Sequence, residues 1–280
     1  MQATNQVINI VLQGLGAAGR ARLEAIKQNP HFKLSGILSR RPELSTLSQT
    51  EALKDPQVQA IAISTENTHH AMATHQALEA NKHVLCDYPI AIHAQEALAL
   101  FKLAQKKQKI LHIEHISLLS QEHLSLKEQA KKAGLLKKGD YLFTGGFNEK
   151  IANQSITGPL AILALPRLLQ LADLWGDFEI EKSDYSQNKQ GFSLHLHLKF
   201  KQGGFLGFTE ERKIGLARKR SLLAKCENTN ISWKSGLNRG GLFAKDLEYF
   251  YQRITQKLPC YYQETLMLKV LEKLNQCFNF

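Results

Sequence analysis

No apolar run in this chain approaches the roughly 20 residues needed to cross a bilayer, so the sequence predicts no membrane partner. The amino terminus, MQATNQVINIVLQG, has neither a positive n-region nor a small-residue cleavage site. It reads as no signal peptide and a cytoplasmic protein. Cysteine is scarce: Cys86, Cys226, Cys260 and Cys277 show no CxxC or CxxH spacing, which argues against a metal site and for reduced, packed thiols. Internal repeats and low-complexity linkers are also missing. The formal net charge is +11, which favours anionic partners. The basic residues nevertheless form no long tract and interleave with no aromatic motif of the RNA-binding kind, so nucleic acid is not expected as a partner. A solvated basic surface and an acidic small molecule are the two readings of that charge.

What is present is an ordinary globular composition over 280 residues, 43% of them hydrophobic and 22% charged. A β-branched run at 7–12 leads into Gly14-Leu15-Gly16-Ala17-Ala18-Gly19, then a helix-forming stretch at 20–28 and a strand at 33–38. That is the length of a strand–helix–strand crossover. Strands at 60–64, 83–86 and 109–113 then alternate with helices at 69–80 and 94–105. The alternation predicts a parallel, doubly wound sheet. Near residue 119 the pattern changes. Helices at 122–133 and 160–175 enclose a strand at 140–145, and strand-like runs follow at 178–185, 192–200, 204–210, 221–225 and 231–233. Strict alternation within 193–200 (SLHLHLKF) predicts a largely antiparallel sheet with one wet face. Helices at 243–256 and 263–277 close the chain. The expectation is an α/β chain with an N-terminal Rossmann domain at 1–118 and a C-terminal α+β domain at 119–280. The last helix is a candidate to pack back on the first domain, and the site is expected in the crevice between the two.

The glycines sit directly after a strand and open a helix, the context in which GxGxxG gains meaning. Gly14 permits the tight turn, Gly16 and Ala17 let the backbone approach a pyrophosphate, and Gly19 lets helix and strand pack closely; the helix N-terminus faces the phosphates. NAD sites usually place an acid at the end of the second strand. This chain has Ser39, Arg40 and Arg41 there, which suit a 2′-phosphate. NADPH is therefore the expected cofactor and NADH the second candidate.

Two further segments resemble a known family. Thr65-Glu66-Asn67-Thr68-His69-His70 and Lys82-His83-Val84-Leu85-Cys86-Asp87-Tyr88-Pro89 are similar to the T-P-N-x-x-H loop and K-H-V-L-x-E-K-P segment of the glucose–fructose oxidoreductase and inositol dehydrogenase (Gfo/Idh/MocA) superfamily. The resemblance implies that Thr65, Asn67, His70, Asp87 and Tyr88 lie along the cofactor. The sugar enzymes use the lysine of E-K-P with a later Asp and His to handle a hydroxyl proton. Here Tyr88 replaces the lysine, and Gly158-Pro159-Leu160-Ala161-Ile162-Leu163-Ala164-Leu165-Pro166-Arg167 lacks both the Asp and the His. Oxidising an alcohol needs a base, so either catalysis is lost or the substrate is not an alcohol.

Several segments resemble the biliverdin reductase family within that superfamily. They are Gly36-Ile37-Leu38-Ser39-Arg40-Arg41, Asp87-Tyr88-Pro89, Leu111-His112-Ile113-Glu114-His115 with Leu118-Leu119, Arg167-Leu168, and Gly240 to Asp246. The resemblance implies NADPH-dependent reduction of biliverdin to bilirubin, with hydride going to the central methine carbon and a proton to a pyrrole nitrogen. It also implies a monomer or weak homodimer. Arg167, which interrupts an apolar helix where an unpaired charge is costly, is the first catalytic candidate. Its other reading is a structural ion pair with Asp173, Glu114 or another acid. Tyr88 either donates a hydrogen bond or walls the pocket. Glu114 is a third catalytic candidate and His115 a substrate contact; His112 and Glu114 could instead pair with each other. Arg218, Lys219 and Arg220 are candidate partners for propionates, whereas His195 and His197 read as surface residues. Two alternatives stay open: another oxidoreductase of the superfamily acting on a small carbonyl, enone or imine, and a non-enzymatic NADP- or bilin-binding sensor.

Overall fold

The computed structural model describes residues 6–234 and 240–280. Residues 1–5, on which part of the signal-peptide reading rests, lie outside them. The chain divides into two compact units, the first running to Ile116 and resuming over Gly240–Tyr261, the second running from Ser117 and resuming over Tyr262–Phe280.

In the first unit, β1 (Ile8–Gln13), α1 (Ala17–Gln28), β2 (Phe32–Leu38), α2 (Gln49–Lys54), β3 (Ala60–Ile63), α3 (Asn67–Glu79), β4 (His83–Cys86), α4 (Ala94–Lys107) and β5 (Leu111–Ile113) follow in order. The strands form a five-stranded sheet ordered β2-β1-β3-β4-β5, parallel throughout. The order reverses between β1 and β3, so their carboxyl ends diverge there, the place where open α/β sheets bind ligands. Both β3 and β4 are almost wholly buried, which explains why they read as continuous apolar runs rather than alternating ones.

The second unit holds α5 (Gln121–Ala133), β6 (Leu136–Gly146), two single-turn helices α6 (Glu149–Ala152) and α7 (Gln154–Thr157), α8 (Leu165–Trp175), β7 (Phe178–Asn188), β8 (Gly191–Phe200), β9 (Phe205–Lys213), β10 (Lys219–Cys226) and β11 (Asn230–Lys234). Its six strands are ordered β11-β10-β6-β9-β8-β7. Only the β6–β9 pair is parallel; the others are antiparallel. In β8, Leu194, Leu196, Leu198 and Phe200 are buried while His195 and Lys199 face water, as the alternation requires. The apolar stretch at 160–175 is a 3₁₀ turn, Leu160–Ala164, followed by α8. Pro166 lies in the first turn of α8, where its missing N–H costs little.

Two helices complete the chain, α9 (Leu242–Gln256) and α10 (Glu264–Phe278). The expectation that the last helix returns to the first domain needs correction. α10 packs with α8 and β7 in the second unit, and it is α9 that packs on α1. Leu247, Phe250 and Tyr251 of α9 join Ile8, Ile10, Leu12, Ile26 and Phe32 in one buried cluster. The apolar stripe of α9 thus covers part of the nucleotide-type sheet, which the first 116 residues leave incomplete. No described helix is long and apolar enough to cross a membrane.

Candidate active site

The glycine-rich turn closes on β3. Gly14 has φ +101°, and a Cβ there would stand 2.3 Å from the Ser64 carbonyl oxygen. Only glycine fits both demands. A Cβ on Gly19 would stand 2.1 Å from the Gly14 carbonyl oxygen, so α1 starts in direct contact with the turn. α1 opens on Gly16, which has no side chain to cap the first turn; the first N–H groups and the positive end of the helix dipole remain for an anion. The Thr65 hydroxyl at the mouth of β3 is buried with no hydrogen-bond partner among the described residues. Helix end, glycine turn and unmatched hydroxyl together fit a dinucleotide.

Ser39, Arg40 and Arg41 curl beside this cradle. The Ser39 hydroxyl accepts from the Arg41 backbone N–H at 3.1 Å, and the Arg41 guanidinium donates to the Leu15 carbonyl at 3.3 Å. Arg41 is therefore held on the glycine turn itself. Arg40 is largely exposed and pairs with Glu66 at the start of α3. The two family-like segments are joined by His70, buried, whose Nδ1 lies 2.8 Å from the Pro89 carbonyl oxygen and Nε2 3.3 Å from that of Thr65. The Tyr88–Pro89 peptide is cis. Asn67 opens α3.

Beneath the Asp87–Tyr88 segment lies a buried network that the sequence reading did not contain. Arg22 of α1 is fully buried. Its guanidinium lies 2.8 Å from Asp246 of α9 and 3.7 Å from Asp87, and donates to the Phe243 carbonyl at 3.3 Å. Asp246 also accepts from His112 Nε2 at 2.8 Å and from the Tyr261 hydroxyl at 2.9 Å. The Tyr261 oxygen in turn accepts from the His115 backbone N–H at 2.8 Å. The expected His112–Glu114 pair is not formed, because His112 turns to Asp246 and Arg253. The Glu114 Oε1 instead accepts from the Ile116 N–H at 2.9 Å. The rings of His115 and Tyr88 stack with centroids 5.9 Å apart.

Burial and crowding of like charge divide these acids. Burial, then the neighbouring charges of Asp87 and Asp246, push Glu114 up to about 8, so it carries a proton at neutral pH. Asp87 is also raised by burial, against the opposing charge of Arg22. Burial would raise Asp246 too, but Arg22, His112 and the Tyr261 hydroxyl outweigh it and bring the group down to about 2. Burial lowers His115 to about 3 and keeps it neutral.

In the second unit Arg167 is engaged. Its Nε and one terminal nitrogen donate to Glu210 at 2.9 Å each, and the same nitrogen donates to the Leu163 carbonyl. The structural partner, expected to be Asp173, Glu114 or another acid, is Glu210, which is fully buried. Arg212 also donates to Glu210, at 2.7 Å. The guanidiniums of Arg167, Arg212 and Arg218 lie 4.1, 4.8 and 5.4 Å from the centre of the Phe143 ring. Three cations thus gather round one aromatic ring, two of them on the same carboxylate. The trio Arg218, Lys219 and Arg220 is divided: Arg218 joins this cluster, Lys219 is exposed, and Arg220 lies over Trp233 and donates to Glu122 at 3.3 Å. His195 is exposed and His197 pairs with Glu181.

Arg22, Asp246 and Glu210 share one signal that sequence reading passed over. Each is a charge at a position whose periodicity demands an apolar side chain. Arg22 lies on the buried face of α1 with Gly19 and Ile26, Asp246 on that of α9 with Leu247 and Phe250, and Glu210 follows Leu206 and Phe208 in β9.

The family model of oxidoreductases with an NAD-binding Rossmann fold, Gfo/Idh/MocA, matches residues 8–115. Biliverdin reductase A of Homo sapiens is 31% identical over 260 residues, covering 88% of this chain and 85% of its own. A biliverdin reductase from Synechocystis sp., solved with biliverdin and NADP+, superposes with a TM-score of 0.82 at 22% identity, over 97% of this chain and 98% of that one. UDP-N-acetylglucosamine 3-dehydrogenase GnnA from Acidithiobacillus ferrooxidans gives 0.79 at 17% identity, over 97% and 96%. The two solved structures show a common fold.

Proposed function

The chain belongs to the Gfo/Idh/MocA oxidoreductase family, with an NAD(P)-binding Rossmann domain, and from that premise we propose that it reduces biliverdin to bilirubin with NADPH. The observation that carries the reading is the arginine cluster around Phe143. A conjugated dianion needs guanidinium forks for its propionates. Arg218 is exposed and Arg212 partly exposed, so their guanidiniums can meet a ligand carboxylate, while Arg167 is held among them by Glu210 and the Phe143 ring beneath is buried. The identity with human biliverdin reductase A over most of both chains supports the same substrate.

NADPH would be held by the backbone of Gly14, Gly16, Ala17 and Gly19 at the pyrophosphate, with Ser39, Arg40 and Arg41 at the 2′-phosphate. When bound, it supplies a hydride for the central methine carbon and leaves as NADP+. Thr65, Asn67, His70, Asp87 and Tyr88 would line its nicotinamide half. No hydroxyl proton has to be removed, which accounts for a site without the sugar enzymes' Lys, Asp and His. One proton must reach a pyrrole nitrogen. Arg167 acts by charge and by orienting water. Glu114 is protonated at neutral pH and adjoins His115, whose ring faces Tyr88. It is the stronger candidate for the store of that proton.

The test is turnover. Protein with biliverdin and NADPH, and separately NADH, is followed by absorbance: the blue-green band falls and a yellow product grows, faster with NADPH. Folded, NADPH-binding protein that leaves the spectrum unchanged refutes the proposal.

A further inference from the structure

The Tyr88–His115 ring pair lies beyond the reach of the sheet that presents it. The β4–β5 ladder ends at Cys86 opposite Ile113, with one more bond from the Glu114 N–H to the Cys86 carbonyl at 2.8 Å. Past that point the Asp87 N–H still donates to the Ile63 carbonyl at 2.9 Å and His70 contacts the Pro89 carbonyl, and further side-chain ties from both loops converge on one carboxylate. Asp246 Oδ2 faces Arg22, which faces Asp87, the residue before Tyr88. Asp246 Oδ1 accepts from Tyr261, which receives the His115 N–H.

Docking of α9 does not require this carboxylate. Leu247, Phe250 and Tyr251 already bury the helix against the sheet, and a buried ion pair is often no more stable than apolar residues of the same volume. A fully buried Asp246 tied separately to two loops gives register rather than adhesion. We propose that Asp246 is a positioning residue: acting through Tyr261 and Arg22, it fixes the two loops so that Tyr88 and His115 stand face to face. The consequence for turnover rests on the reading above, in which Tyr88 walls the nicotinamide. Asp246 is held down to about 2 after its neighbours outweigh burial, so the ties stay charged throughout the neutral range.

Two measurements on Tyr261→Phe test the proposal. The variant keeps the ring contacts with His112 and Tyr249 and removes only the hydroxyl. The first is the His115 ring-proton NMR resonance, assigned by its disappearance in His115→Gln; it needs no substrate. The second is steady-state bilin reduction. The resonance should move as the stacking with Tyr88 is lost. kcat should fall about tenfold, the scale of one buried hydrogen bond, with KM for NADPH within about twofold. A His115 resonance that does not move overturns the proposal whatever kcat does, and so does a moved resonance with full kcat. If the wild-type protein turns over no bilin, the substrate reading falls and the resonance alone decides the positioning. Should Tyr261→Phe fail to fold, Asp246→Asn keeps the volume while discharging the Arg22 tie, and the same resonance decides.

Discussion

Glu114→Gln offers the sharpest test of the buried acid cluster. In the folded protein burial and two neighbouring carboxylates raise Glu114 from 4.5 to about 8. The folded state therefore keeps a proton that the unfolded chain releases. Stability from this group is complete below pH 4.5 and is lost as pH rises toward 8. Each pH unit in that window removes at most about 1.4 kcal/mol, so the cost reaches roughly 3 kcal/mol at pH 7 and about 5 kcal/mol above pH 8. Glutamine resembles the protonated acid, retains an oxygen for the Ile116 N–H, and does not titrate. We predict that the variant and the wild type unfold alike in urea at pH 5. Their difference should then grow in favour of the variant, to about 1–3 kcal/mol at pH 7. A difference that stays constant from pH 5 to pH 8 would refute the claim that Glu114 is held protonated. The same variant should lose most bilin turnover if Glu114 stores the transferred proton; full kcat would remove it from that role while leaving the stability argument intact.

Two other perturbations address the two units separately. Arg167→Ala strands Glu210 with Arg212 alone, so we expect about 3 kcal/mol of destabilisation and loss of bilin turnover, with NADPH affinity by calorimetry within twofold; full activity would reduce Arg167 to a structural ion. Arg41→Ala removes the guanidinium on the glycine turn and should cut the preference for NADPH over NADH by about tenfold or more, the scale of a charge-assisted hydrogen bond. An unchanged ratio of the two dissociation constants would move the 2′-phosphate contact elsewhere.

The parts that could be read from the sequence are those whose cause is local. A glycine turn between a strand and a helix announces itself within a few residues, and Gly14 and Gly19 are glycine for the close approaches that the structure shows. Period-two alternation in β8 and apolar runs in β3 and β4 are equally short-range. Arg22 meeting Asp246 is not local: the partners lie on α1 and α9, and no spacing rule connects them. The same holds for Arg167, flagged correctly as a costly charge in an apolar helix, whose partner on β9 could not be chosen among the chain's acids. The apolar stripe of α9 showed that it must pack somewhere. It did not show that α9, rather than the equally amphipathic α10, would return to the first sheet.

That return also sets what can be cut from the gene and what cannot. The family match ends at residue 115, which invites excision of the first 116 residues as a portable nucleotide-binding module. Such a fragment would lack Leu247, Phe250 and Tyr251 over its apolar sheet and Asp246 against its buried arginine. On the ribosome those side chains emerge only after all of the second sheet has been made, since β11 ends at Lys234 and α9 begins at Leu242. The unit that starts first is completed late, and the transplantable piece is two stretches of chain, to 116 and 240–261, rather than one.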